Sequence, residues 1–172
     1  MLYEDEFQNE IGSKYLEEIN SSKMRIGDNN FNGCYITTLI CSILGYTDHC
    51  YVLTEMRNFR NNIMQKESKY FDILLEYDVI GPIIARNIYE EYCKTENKYM
   101  WTRFYQLYLL ETAALISSEK YKEAVCKYEQ MMNTLKSYFG IHDIDLTTYQ
   151  KDYDMSMGGH GKLKVRELTV SI

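Results

Sequence analysis

The sequence predicts a mostly α-helical protein. A single helical-bundle domain of five to six helices spans residues 1–140, and an extended or β arm spans residues 141–172. Three observations predict this. The chain has 172 residues, 45% of them apolar, which is enough for one domain to bury a real core. Apolar residues recur three and four apart through most of the first 140 residues, the signature of helices buried along one face. One Pro and 9 Gly exclude a collagen-like or Pro/Gly-rich low-complexity chain.

The elements follow in order. Phe7, Ile11, Tyr15 and Ile19 form a narrow apolar stripe, so residues 2–19 read as a helix. Residues 21–33 are a polar connection with turn chemistry at Gly27-Asp28-Asn29-Asn30. Residues 34–44 are short, apolar and rich in β-branched side chains, ambiguous between helix and strand, and Gly45 is a helix terminator. Thr47 or Asp48 caps a helix running to about residue 65, with Val52, Met56, Phe59 and Ile63 on its apolar face. Ser68 caps the next helix, and Gly81-Pro82 breaks or kinks it before a continuation through Ile83, Ile84, Ile88 and Tyr92. Residues 99–117 and 120–138 read as two antiparallel helices joined at Ser117-Ser118, with Gly140 closing the second. In the arm, Gly158-Gly159-His160-Gly161 forms a joint before an imperfect alternation of Leu163, Val165, Leu168, Val170 and Ile172.

Composition also limits function. The net charge is -6, and the densest basic run is Lys162, Lys164 and Arg166, so direct binding of nucleic acid through its phosphates is not expected. The acidic start, Met1-Leu2-Tyr3-Glu4-Asp5-Glu6, lacks the pattern of a signal peptide. The longest apolar-leaning run, residues 34–46, is too short to span a membrane. A soluble, cytoplasmic protein is the expectation. Five Cys without a regular framework suit reduced thiols. The 17 Tyr are the oddity: each can pack its ring but needs a partner or water for its hydroxyl.

One region carries an ordered set of motifs: Cys34-Tyr35-Ile36-Thr37-Thr38, Cys41, Asp48-His49-Cys50-Tyr51, Leu53-Thr54, Arg57-Asn58-Phe59-Arg60, Glu76-Tyr77 and Ile80-Gly81-Pro82. This order resembles the CFI-box domain family, a small bacterial module named for its Cys-Phe-Ile start. Tyr121-Lys122 and Met132-Asn133-Thr134-Leu135-Lys136 are similar to the end of clostridial examples, so the resemblance covers residues 34–138. Tyr35 stands for the usual Phe, Asn61 for an Asp after the second Arg, and Asp78 and Gly81 for an aromatic and a small residue. The resemblance implies a helical module usually attached to other domains. It implies no reaction.

Several groups could carry chemistry. Cys34, Cys41 and Cys50 with His49 and Asp48 form the one metal-like set, but it lacks the tight Cys-x2-4-Cys knuckle of structural zinc. Its bland alternative is buried thiols acting as small hydrophobes. Cys34 after Gly33 at a helix start is a candidate nucleophile, with His49 as the base. Arg57 and Arg60 share a helical face and read either as an anion clamp or as a structural network reaching Glu76. Tyr99, Trp101, Tyr105 and Tyr108 belong to a helix apolar all round, which is central to the bundle or covered by a partner. His160 in the arm is a candidate partner contact.

Taken together, these features lead to the expectation of a non-catalytic protein-interaction, accessory or inhibitory module. It binds another protein, such as a nucleic-acid-handling machine, or itself as a homo-oligomer, with no cofactor, no membrane and no direct nucleic-acid contact. A thiol-dependent enzyme using Cys34 with His49 is the alternative.

Overall fold

A computed structural model describes residues 34–142. The expected helix over residues 2–19, the polar connection and the C-terminal arm with His160 lie outside the described residues. The described residues are helical and contain no strand. No helix among them is long and apolar enough to cross a membrane.

Helix α1 (Tyr35–Ile43) settles the ambiguous segment. Its Ile and Thr residues have modest helix propensity, so burial decides. Ile36, Leu39, Ile40 and Cys41 are each 1% exposed or less. The N-cap, Cys34, offers no side-chain cap. A distant residue supplies one instead: the Ile36 amide donates to the Tyr77 hydroxyl at 3.1 Å. The helix ends as expected at Gly45 (φ 81), where Tyr46 N–H reaches Cys41 C=O at 2.8 Å and Gly45 N–H reaches Ser42 C=O at 3.0 Å.

Helix α2 (Tyr51–Asn58) begins later than expected. Its N-cap is Cys50, which makes no side-chain cap, and neither Thr47 nor Asp48 caps it. The Asp48 carboxylate is taken by Arg57 at 2.6 Å. The helix passes into a π-helical turn (Phe59–Ile63) and a 3-10 turn (Met64–Lys66). The wide turn sets two consecutive residues, Phe59 and Arg60, both into the core.

Helix α3 (Phe71–Thr95) corrects two expectations. Ser68 is not its cap, because Ser68–Tyr70 forms a separate 3-10 turn. Gly81-Pro82 does not break it. Pro82 removes one N–H from the helical ladder. The helix persists because both flanks are sealed: Leu74, Leu75, Val79 and Ile80 before it, and Ile84, Ala85 and Ile88 after it, are 2% exposed or less. Gly81 lets two rings close in. A Cβ there would sit 3.3 Å from the Tyr35 ring and 3.4 Å from the Tyr77 ring.

Asn97 caps α4 (Lys98–Phe104), its side chain accepting from the Met100 amide at 3.1 Å. A π segment (Tyr105–Leu110) joins α4 to α5 (Glu111–Ser117) as one rod. A turn through Glu119 leads to α6 (Tyr121–Phe139), which ends at Gly140 (φ 65) as the sequence predicts. Helix α6 packs along α5 and α3, α1 packs on α3, and α2 packs on α5. Trp101, Leu109, Ile36, Leu53 and Ile80 fill the centre.

Candidate functional site

The polar residues drawn from α1, α2, α3, α5 and α6 converge inside the bundle. The Arg60 guanidinium meets the Asp78 carboxylate at 2.5 Å, and both residues are buried. Arg60 also lies over the Tyr77 ring, 5.7 Å from its centre. Tyr77 pairs with Tyr128 at 5.5 Å between ring centres. A cavity of about 20 Å³ lies among Cys34, Thr37, Phe59, Arg60, Tyr77, Thr112 and Tyr128. That volume suits about one water molecule and leaves no room for an organic ligand.

The two arginines, which read either as an anion clamp or as a structural network, are neutralised separately. Arg57 forks onto Asp48, with Nη2 to Oδ1 at 2.6 Å and Nη1 to Oδ2 at 3.1 Å, and Nη1 also donates to the Asp48 carbonyl at 2.8 Å. Arg60 is held by Asp78. The two side chains therefore lack free charge for a shared anion. Glu76, the carboxylate expected for Arg60, binds Lys136 of α6 at 2.5 Å instead. Residues 76 and 78 point different ways from a helix, because successive side chains turn by about 100°. Asp78 faces α2 and Glu76 faces α6.

The thiol enzyme reading meets contrary geometry. Cys34 is 5% exposed, and burial pushes its thiol up to about 11, away from the thiolate that a nucleophile needs. His49 is exposed, and no hydrogen bond among the described residues joins it to Cys34. The metal-like set does not assemble. No group of three or more His, Cys, Asp or Glu among the described residues is arranged to hold a metal ion. What the fold does bring together is Cys41 and Cys50, with sulfurs 3.8 Å apart.

The aromatic cluster divides. Trp101 is 1% exposed and meets Phe104 edge-on at 5.8 Å. Tyr105 is buried and stacks on Tyr46 at 5.0 Å. Tyr108 is half-buried, with its hydroxyl 3.1 Å from Thr134 Oγ1 and Lys127 5.4 Å from its ring centre. These three are packing residues. Tyr99 alone stays out, 75% exposed. Leu107, on the same all-round apolar helix, is also exposed, as are Leu110 and Tyr138, which sequence reasoning missed. Their signal was available: Tyr99, Arg103, Leu107 and Leu110 recur at spacings of four, four and three on the rod, and all are exposed. Tyr138 of α6 reaches the same end of the rod, its hydroxyl 3.8 Å from Met100 Sδ and bonded to Glu91.

Compared with protein-family models, curated proteins and solved structures, the chain matches none.

Proposed function

We propose that the protein is a non-catalytic protein-interaction module, and that it binds through the outward face of the rod formed by α4, the π segment and α5. One observation carries this reading. Tyr99, Leu107 and Leu110 stay exposed on a rod whose opposite face, Trp101, Tyr105, Leu109 and Ala113, is sealed in the core. Aromatic and aliphatic side chains of this kind anchor protein partners when water is driven off them. Arg103, Gln106 and Glu111 border them and supply the polar rim. Among the described residues, the buried Arg60 and Asp78 charges are paired and the cavity beside them takes about one water, which supports the same reading. The net charge of -6 favours a partner with a basic rim. The motif order that resembles the CFI-box family, a module usually attached to other domains, is compatible with a binding role.

A photo-crosslinking amino acid at position 110 tests the proposal in the source cell. The expected result is a covalent adduct with another protein chain, absent when the crosslinker replaces exposed Lys66. Equal labelling at both positions, or none at 110, would remove the proposal.

A further inference from the structure

The pair Cys41 and Cys50 is unused by the binding face. Cys41 lies near the end of α1, fully buried, and Cys50 is the half-buried N-cap of α2. The last residues of α1, Leu44 and an exposed turn over residues 45–49 separate them in sequence. Their sulfurs are 3.8 Å apart, and both are free thiols. A disulfide places its sulfurs about 2.05 Å apart, so the two must close by about 1.8 Å. The turn that would accommodate this, residues 45–49, is exposed along its length and outside the core.

We propose that Cys41 and Cys50 are a redox modification site, a dithiol that a hydroperoxide oxidises to a disulfide. Exposure sets the order of events. Cys50 has access to solvent and Cys41 has none, so Cys50 reacts first. The Cys50 sulfur attacks one oxygen of the hydroperoxide. The O–O bond breaks, and the departing oxygen takes the thiol proton and leaves as water or an alcohol. Cys50 is then a sulfenic acid. The Cys41 sulfur attacks the Cys50 sulfur, the S–S bond forms and the S–O bond breaks. The hydroxide released takes the Cys41 proton and leaves as water. The two thiols lose two electrons and the hydroperoxide gains them.

Burial and the neighbouring Cys50 push the Cys41 thiol strongly up, and Arg57 opposes this only in part, so Cys41 resolves the oxidised Cys50 by its closeness to that sulfur and this second step is the slow one. Tyr105, the first residue of the π segment, has its hydroxyl pushed up by burial and by Cys41, Tyr46 and Cys50 around it. By contrast, Cys93 and Cys126 are exposed free thiols.

The test uses the full chain carrying Cys93→Ser and Cys126→Ser, which removes exposed thiols that link separate molecules. The reduced protein is treated with hydrogen peroxide, unfolded, alkylated and digested. Cleavage after Tyr46 separates Cys41 from Cys50. The expected product is a pair of peptides joined through Cys41 and Cys50, released by dithiothreitol. The same treatment of Cys50→Ser should leave Cys41 fully alkylated. Ser is a favoured N-cap, so that variant keeps the start of α2. A disulfide between other residues would overturn the proposal. So would Cys50 oxidised to sulfinic acid with Cys41 still a free thiol, or both thiols unreacted.

Discussion

Arg60 and Asp78 face each other inside the bundle, 2.5 Å apart. A buried pair of this kind costs much desolvation and returns it through its partner, so removing one member strands the other. Arg60→Met should cost about 3–5 kcal/mol in urea unfolding. Arg60→Met with Asp78→Leu should recover most of that loss, because neither charge is then left alone. Cys34 gives a second prediction at this scale. Its thiol is pushed from 9.0 to about 11 in the folded chain. Below pH 9 the thiol keeps its proton in both states, and its contribution to stability is complete. Between pH 9 and 11 the unfolded chain loses the proton first, so stability falls across that interval, by about 3 kcal/mol from this group. Thermal unfolding at pH 8, 9, 10 and 11 should show a steeper fall in the native chain than in Cys34→Ala. The sequence made part of this legible. It marked Arg60 as a member of an Arg–carboxylate network, and the structure bears out such a network. It named Glu76 as the partner, and the choice between Glu76 and Asp78 depended on how α3 is rotated against α2, which spacing alone does not determine. Asn61, which stands where the resembled pattern has Asp, is exposed, and the carboxylate that holds Arg60 comes from Asp78.

The two glycine-closed helix ends were readable because their chemistry is local, whereas the N-caps expected at Thr47 or Asp48 and at Ser68 do not form. Gly45 and Gly140 close α1 and α6 at positive φ, where glycine avoids the penalty of a Cβ. The end of α5 uses the same hydrogen-bond pattern without a glycine. Lys120 N–H reaches Leu115 C=O at 2.9 Å, Glu119 N–H reaches Ile116 C=O at 2.9 Å, and Glu119 sits at φ 59. The sequence therefore gave no sign of this cap. Glu119→Gly should stabilise the protein by about 1 kcal/mol, seen as a higher denaturation midpoint with unchanged slope. No gain would mean that the Glu side chain offsets the strain. Elements set by packing were harder to read. Pro82 predicts a break by local rules, and burial on both flanks carries α3 through it. The two π turns had no sequence signal, because their hydrogen-bond shift is decided by which neighbouring residues must enter the core.

At the scale of the whole molecule, two uses of tyrosine stand out among the described residues. Tyr77 spends its hydroxyl on the start of α1, and Tyr35, Tyr105 and Tyr128 pack around the inner charges and thiols. Tyr99 is the most exposed of them, and with Leu107 and Leu110 it makes the outer face of the rod. The helical architecture was legible in the sequence. The division of the rod into a sealed side and an open side was not, because apolar residues occur all round that helix and the placement of α1, α2 and α6 decides which of them are covered. The central claim is that the buried polar groups build the fold while the outer face of the rod binds a partner. The most direct measurement is the adduct yield from a crosslinker at position 110, compared between the native chain and Tyr99→Ser with Leu107→Asp, in preparations with matched thermal unfolding. Substitutions at such exposed sites usually change stability by less than about 0.5 kcal/mol each. The account predicts an unchanged unfolding midpoint and a lost adduct; an undiminished adduct in the substituted chain would contradict it.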